Sequence, residues 1–330
     1  MFRIRTFVAL TVVLTSVIAA CGPRGGEAPA QTAGTPAAGK DQCAPLETRA
    51  PNASDQRPAF DGQTRTCGIQ SNVALDVQVI ARGLEHPWSV EPLESGEFLV
   101  TERPGRLRIV SATGELGAPI TGLPVVDARG QGGLLDVALS PRFAADRTIY
   151  WSYAEPRPEG NGTAVARGVL SADRRSVEQV QVIFRVLPTY DGRAHFGSRL
   201  AFGPDGKLYI TTGDRSDSQM RRYAQQLDSH LGKTLRINPD GSIPADNPFV
   251  NQSNAQPQIW SLGHRNIQAA AFDADGRYWI LEHGTRGGDE LNLIEKGKNY
   301  GWPLQAYGIE YSGRPIGGSE TARSGMQQPV

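Results

Sequence analysis

The chain has 330 residues, with 34 basic and 34 acidic side chains and a formal net charge of zero. This balance argues against a nucleic-acid-binding protein, which normally carries an excess of basic residues, so no nucleic-acid partner is expected. The 38 glycines and 23 prolines are spread along the sequence and favour many turns and short strands over long helices.

The first 20 residues carry a short apolar segment behind two basic residues. Arg3 and Arg5 precede the apolar run 7–20, which is too short to span a bilayer as a stable helix. The run ends in Ile-Ala-Ala-Cys at 18–21, which resembles the lipobox of bacterial lipoproteins. The resemblance implies that residues 1–20 are a signal peptide cleaved before Cys21, and that Cys21 carries a lipid. The alternative is an ordinary secretory signal, which would leave Cys21 as a free thiol.

Two further segments separate this signal from the folded part of the chain. Residues 21–40 are rich in Gly, Pro and Ala and predict a flexible tether that holds a domain off a membrane surface. Residues 41–71 form an extension that contains Cys43 and Cys67, an even pair in an exported chain. A disulfide between them would close a loop of about 25 residues and contribute about 3 kcal/mol in the chain-entropy model. Two free thiols are the alternative.

From residue 72 onward one local pattern recurs. A small or acidic turn, usually with a glycine, precedes an aromatic-rich strand that ends in a polar residue, at 94–105, 144–155, 203–214 and 273–284. Asp-Gly tolerates positive φ, and the strands suit a sheet buried on both faces. The spacing of the turns is compatible with four-strand blades plus loops. Residues 72–330 are therefore predicted to form an all-β domain, a β-propeller, with an array of β-sandwiches as the alternative.

Five motifs follow one another within this domain. They are GQGGLLDVALSP (130–141), HFGSRLAFGPDGKLYITTGD (195–214), HLGKTLRINPDG (230–241), GHRNIQAAAFD (263–273) and EHGTRGGDELNLIEKGKNYGWP (282–303). Together they resemble the soluble aldose sugar dehydrogenases that use pyrroloquinoline quinone (PQQ), the glucose/sorbosone dehydrogenase family. The resemblance covers roughly residues 75 to 330 and implies a six-bladed β-propeller. Family sequences continue beyond these motifs, so we expect this chain to lack the closing C-terminal portion of the ring.

One histidine stands just ahead of a repeated strand unit and one aspartate just after it. His195 taken alone could be a structural residue, but an unperturbed pKa near 6.5 also suits a proton acceptor. A strand pair could return the carboxylate of Asp214 to the imidazole, where it would fix the tautomer. The resemblance implies that His195 is the general base and that Asp214 supports it. We expect structural roles for the other histidines, His86, His230, His264 and His283.

Three polar residues are candidates for holding the cofactor. From the residues alone, Arg265 and Asn266 could be a solvated loop pair, and Gln131 could be a turn residue. A quinone with three carboxylates, however, needs cationic and amide donors. The resemblance implies that all three contact PQQ, and that Arg265 also stabilises negative charge that develops on the quinone oxygen.

The segment EHGTRGGDE at 282–290 is a candidate calcium site. Calcium prefers oxygen ligands, and glycine-rich backbone can turn its carbonyls toward an ion. The resemblance implies that the carbonyls of Gly284 and Thr285 hold the Ca²⁺ that clamps the quinone, although family members commonly have proline at the second position. It also implies a second, structural Ca²⁺ bound by the Glu290 side chain and the Tyr300 carbonyl. A charged hairpin without metal is the alternative.

The resemblance as a whole implies an enzyme. The expected reaction is oxidation of the anomeric hydroxyl of an aldose to the lactone, with hydride transfer to PQQ and onward transfer to an unidentified electron acceptor. The expected location is the bacterial cell envelope, exported and lipid-anchored, on the periplasmic or outer-membrane face. The main alternative is a lipid-anchored propeller that binds partners without catalysis, and a calcium-dependent lactonase propeller is a weaker one.

Overall fold

The computed structural model describes residues 45–60, 63, 67–69 and 71–330. The predicted signal peptide and tether, Cys21 and Cys43 lie outside these residues. Cys67 is disulfide-bonded. Its pairing with Cys43 stays a prediction. Within the described part, no helix is both long and apolar enough to cross a membrane.

The described residues form an almost entirely β structure with four antiparallel sheets, which confirms the all-β prediction. The first sheet contains β1 (Pro87–Pro92), β2 (Phe98–Glu102) and β3 (Arg106–Val110). The second contains β4 (Leu134–Leu139), β5 (Thr148–Arg157), β6 (Gly160–Leu170) and β7 (Val177–Arg185). The third contains β8 (Leu200–Phe202), β9 (Leu208–Thr211), β10 (Lys233–Ile237) and β11 (Ile259–Leu262). The fourth contains β12 (Ile267–Phe272), β13 (Tyr278–Glu282) and β14 (Glu290–Ile294).

Each recurrent turn of the sequence links the first and second strands of one sheet. Gly96, Gly206 and Gly276 occupy these turns with φ between 71° and 79°, a conformation that glycine adopts without strain. In the second sheet, where the glycine is missing, the short helix α1 (Phe143–Asp146) makes the connection. The other described helix is a 3₁₀ helix at Arg221–Gln225. The repeat in the sequence is therefore one turn for every sheet.

The hydrophobic core lies between successive sheets, because side chains of a strand alternate between its two faces. Trp151 and Tyr153 of β5 pack toward the first sheet, whereas Tyr150 packs toward the third. In the same way, Ile210 of β9 packs toward the second sheet and Tyr209 toward the fourth. Losing a buried aromatic of this kind typically costs about 3–5 kcal/mol. Sheets buried on both faces in succession are the packing expected of propeller blades.

The first strands of the sheets lie side by side at the centre, where β1 contacts β4, β4 contacts β8 and β8 contacts β12. Asp136 of β4 ties three of them together. Its carboxylate accepts hydrogen bonds from Ser89 Oγ (2.6 Å), Arg199 Nη1 (2.9 Å) and the Leu200 backbone N–H (2.8 Å). Burial raises the pKa of Asp136, and the Arg199 charge opposes that shift.

The cysteine-containing extension packs against the domain. The Gln56 side chain makes two hydrogen bonds with the Gly308 backbone, donating to its carbonyl (3.1 Å) and accepting from its N–H (3.0 Å). The Tyr307 hydroxyl donates to Gln63 Oε1 at 3.1 Å. Residues of the extension thus contact the loop that follows the predicted calcium segment.

Candidate functional site

The structure brings His195 and Asp214 into direct contact. His195 precedes β8 and Asp214 follows β9, and the two strands are antiparallel, so the outer ends of the hairpin meet. His195 Nδ1 lies 2.6 Å from Asp214 Oδ1, and the two residues are only 6% and 1% exposed. A carboxylate at Nδ1 keeps the proton on that nitrogen and leaves Nε2 to accept a proton.

Two further donors fix the Asp214 carboxylate. The Ser216 backbone N–H donates to Oδ1 at 2.9 Å, and the indole Nε1 of Trp302 donates to Oδ2 at 2.8 Å. Arg215 and Ser216 have φ of 69° and 57°, so the chain turns sharply just after the aspartate. Sequence reasoning missed Trp302, because it lies 88 residues from Asp214 and only the fold brings them together.

Gln131 and Asn266 contact the backbone beside the histidine. Gln131 Oε1 accepts a hydrogen bond from the His195 N–H at 2.8 Å. Asn266 Oδ1 accepts one from the Gly197 N–H at 3.2 Å. Both amide side chains therefore help to shape the loop that carries His195, as well as being candidates for contacting a cofactor.

Arg265 is buried beside these residues. Its backbone N–H donates to Glu282 Oε2 at 2.6 Å, and its Nη1 donates to the His283 carbonyl at 3.1 Å. Its guanidinium carbon lies 5.5 Å from the centre of the Trp302 ring, within the range of a cation–π contact. The Asp214 N–H donates to the Arg265 carbonyl at 2.8 Å, so the arginine and the aspartate share one backbone connection.

A polar cavity of about 210 Å³ opens next to this cluster. Gln131 and Asn266 line it together with Phe196 and His283. His195 and Arg265 are not among the lining residues: His195 precedes Phe196 in the chain, and Arg265 donates to the His283 carbonyl. Sequence reasoning did not identify the remaining lining residues, which are Trp88, Arg103, Leu135, Gly197 and Gln268. Arg103 is fixed there by donating to the carbonyls of Gly132 and Gly130.

The other histidines fall into two groups. His230 and His264 are 2% and 0% exposed and hydrogen-bonded on both ring nitrogens, as structural residues should be. His86 is exposed at the surface. His283 was expected to be structural, but its side chain is 62% exposed and lines the cavity, so it is a candidate site residue that its sequence context did not indicate.

The predicted calcium segment folds as a tight loop before β14. The Gly284 N–H donates to Asp289 Oδ1 at 2.9 Å, and a Cβ at Gly284 would lie 2.3 Å from the Gly287 carbonyl oxygen. Thr285 is buried, and its hydroxyl has no hydrogen-bond partner. The backbone at this position thus requires glycine, and an oxygen of the loop is left unsatisfied.

The carboxylates of Glu282 and Glu290 lie on paired positions of β13 and β14, at the two ends of this loop. Asn292 Nδ2 donates to both Glu282 Oε1 and Glu290 Oε2, each at 3.1 Å. Burial and the neighbouring Glu282 raise the pKa of Glu290 to about 8. Asn292 Oδ1 is buried without a partner. Such a set of oxygens is the kind that a hard cation would stabilise.

Tyr300, predicted to bind calcium through its carbonyl, is held in place by its side chain. The Tyr300 hydroxyl bonds to the Leu293 carbonyl, and its ring stacks on His264 with centroids 4.8 Å apart. Within the described ranges, no group of three or more His, Cys, Asp or Glu side chains is arranged to hold a metal. Ca²⁺ binding by Gly284, Thr285, Glu290 and Tyr300 therefore stays a prediction.

Comparison with known proteins gives a consistent result. Residues 84–330 match the family model for glucose / sorbosone dehydrogenase. Aldose sugar dehydrogenase YliI of Escherichia coli K12 is 44% identical over 260 residues, which are 78% of this chain and 69% of that protein. The solved apo-form of soluble aldose sugar dehydrogenase from Escherichia coli is similar at 43% identity and a TM-score of 0.74, covering 77% of this chain and 74% of that one.

A second solved structure is described with its cofactor. The PQQ-bound form of aldose sugar dehydrogenase from Streptomyces coelicolor is 33% identical with a TM-score of 0.64, over 77% of this chain and 69% of that one. The propeller prediction is confirmed at the level of the fold shared with these proteins. The chain belongs to the glucose / sorbosone dehydrogenase family.

Proposed function

We propose that the protein is a quinoprotein that oxidises the anomeric hydroxyl of aldose sugars to the lactone with PQQ as its cofactor. The observation that carries the proposal is the buried His195–Asp214 pair, 2.6 Å apart, beside a polar cavity. Family membership supports sugar oxidation, and the PQQ-bound relative supports the choice of cofactor.

The residues around the cavity fit a quinone that carries three carboxylates. Arg103, Gln131, Asn266 and Gln268 line it and offer one guanidinium and three amide groups. Arg265, which is buried, adds a second guanidinium next to His283. Cationic and amide donors in a partly enclosed site are what such an anion needs. When bound, PQQ would accept the hydride that leaves C1 of the sugar.

The protein's own contribution is to move one proton. His195 takes the proton of the anomeric hydroxyl on Nε2, while the C1–O bond becomes a carbonyl. Asp214 holds the imidazole in the required tautomer and stabilises the imidazolium that forms. Gln131 fixes the His195 backbone, so that the imidazole has little freedom to turn away.

We propose that Ca²⁺ binds at the 284–290 loop. The unsatisfied Thr285 hydroxyl, the raised pKa of Glu290 and the orphaned Asn292 Oδ1 are features that an oxygen-coordinated cation would relieve. A bound Ca²⁺ would polarise the quinone carbonyl. The Gly284 and Thr285 carbonyls would hold the ion that clamps the quinone, and the Glu290 side chain and the Tyr300 carbonyl would hold a second, structural ion.

We further propose that the protein is anchored to the bacterial cell envelope through a lipid on Cys21, on the periplasmic or outer-membrane face. The proposal rests on the apolar run and the Ile-Ala-Ala-Cys sequence at 18–21. The electrons would then pass to a separate acceptor.

The test is reconstitution followed by substitution of the base. The apoprotein is incubated with PQQ and Ca²⁺, and a panel of aldoses is assayed with an artificial electron acceptor. His195→Ala should lower kcat by at least about 100-fold while PQQ binding persists, and Asp214→Asn should cost less. His86→Asn, at an exposed histidine, is the matched control and should leave kcat unchanged.

The result also separates the proposal from its alternative. A non-catalytic propeller would not bind PQQ, and it would not reduce the artificial electron acceptor with any aldose. If His195→Ala loses PQQ together with turnover, His195 is a binding or packing residue. Near-normal turnover in that variant would contradict the mechanism.

A further inference from the structure

Asp214 uses both of its carboxylate oxygens, and the second one is held by a distant tryptophan. Oδ1 faces His195 Nδ1 at 2.6 Å and the Ser216 N–H at 2.9 Å. Oδ2 accepts from Trp302 Nε1 at 2.8 Å. Asp214 is 1% exposed and Trp302 6% exposed, so the indole N–H stands where water would otherwise bind the carboxylate.

Trp302 is itself held firmly. Its backbone N–H donates to the Gly263 carbonyl at 2.9 Å, and its own carbonyl accepts from Gln225 Nε2 at 2.8 Å. The Gln225 side chain also exchanges two hydrogen bonds, of 3.0 and 2.7 Å, with the side chain of Asn299, three residues before Trp302. A donor on such a restrained segment has a fixed direction.

Two cations also restrain the ring. The guanidinium carbons of Arg221 and Arg265 each lie 5.5 Å from the centre of the Trp302 ring. Arg221 is in turn paired with Glu310 at 2.6 Å. The indole is thus positioned by its backbone and by its π-face contacts, and Nε1 is left to bind the carboxylate.

We infer that Trp302 is a positioning residue for proton transfer, acting through Asp214 on His195. The inference rests on the proposed function of His195 as the base. The carboxyl torsion of aspartate is broad and must be fixed by its partners. Without the indole donor, the carboxylate can turn to satisfy Oδ2 elsewhere, and the bond from His195 loses its alignment. Trp302 touches neither substrate nor reacting atoms in this scheme.

The test is a double-mutant cycle with kinetics. Trp302→Phe should lower kcat about tenfold and leave KM for the sugar within about twofold. In an Asp214→Asn background the same substitution should have almost no further effect. The matched control is Trp279→Phe, which removes an indole bond of 2.8 Å to Asp273 outside the site and should leave kcat unchanged. Additive effects of Trp302→Phe and Asp214→Asn would overturn the inference.

A second readout needs no activity. In apoprotein labelled with ¹⁵N-histidine, the Nδ1–H resonance of His195 should shift in Trp302→Phe and stay in place in Trp279→Phe. Replacing Trp302 with benzothienylalanine keeps the ring shape, removes only the N–H, and covers the case in which the phenylalanine variant does not fold. An unchanged His195 resonance in the benzothienylalanine variant would overturn the inference. If the wild type fails to oxidise sugars, the proposed function fails, whereas the resonance still decides whether Trp302 positions the pair.

Discussion

His230 offers a quantitative test of the packing in the third sheet. The Leu187 N–H donates to Nδ1 at 3.0 Å, and Nε2 lies 3.1 Å from Gln258 Oε1. Nδ1 is therefore an acceptor, the ring proton is on Nε2, and the imidazole must be neutral. The residue is 2% exposed and packs edge-on against Phe184. Burial lowers the pKa of His230 from 6.5 to about 4.

This shift fixes how stability depends on pH. Between about pH 6.5 and pH 4 the unfolded chain binds a proton at this residue more readily than the folded chain does. The contribution of the neutral His230 side chain to the free energy of unfolding is therefore fully present above about pH 6.5, and it is lost as the pH falls toward 4. The difference between the two pKa values corresponds to about 3 kcal/mol.

The assay is urea unfolding, followed by tryptophan fluorescence, at several pH values from 4 to 7.5. His230→Gln removes the titrating group and keeps an amide that can bond to Leu187. As the pH falls from 7.5 to 4, the free energy of unfolding of the variant should decrease by about 3 kcal/mol less than that of the wild type. His86→Asn should behave like the wild type. Equal pH slopes in wild type and His230→Gln would refute the buried neutral imidazole.

Three further predictions concern the metal, the extension and the anchor. Chelation of the holoprotein should abolish PQQ-dependent sugar oxidation and added Ca²⁺ should restore it; full activity in protein shown by elemental analysis to be calcium-free would contradict the calcium assignment. Gln56→Ala should lower the free energy of unfolding by about 1–2 kcal/mol in urea titrations, because it removes both bonds to Gly308, whereas the exposed Gln252→Ala should have no effect. Cys21→Ser should move the protein from membranes to the soluble fraction, and unchanged membrane retention with no acyl group on the wild type by mass spectrometry would disprove lipidation.

Local chemistry made much of the fold predictable. Asp-Gly pairs such as Asp205-Gly206 and Asp275-Gly276 identified tight turns, and each turn does join the first two strands of a sheet. The His195–Asp214 contact could also be anticipated, because one hairpin separates the two residues and antiparallel pairing brings its ends together. In both cases the signal and the structure lie within about 20 residues of one another.

Contacts between distant segments gave no comparable signal. Trp302 reaches Asp214 from 88 residues away, and nothing in its own sequence context indicates that its N–H has a partner. Gln268 and Arg103 line the cavity only because different sheets place them at one opening. The docking of Gln56 on Gly308 spans 252 residues. Such pairings depend on how the sheets pack and not on the order of residues within a motif.

The region around His195 contains features that lower the stability of the fold. Their presence favours a catalytic protein over a propeller that only binds partners. His195 and Asp214 are both buried, and an apolar pair of similar size often gives equal or greater stability. The described part of the chain has eight non-glycine residues with positive φ, and four of them lie within residues 195–216. These four are His195, Ser198, Arg215 and Ser216. Backbone strain of this kind costs about 1–3 kcal/mol per residue and tends to persist where geometry serves a reaction. A propeller that only bound partners would gain stability by losing both features, and this chain has kept both in the same place.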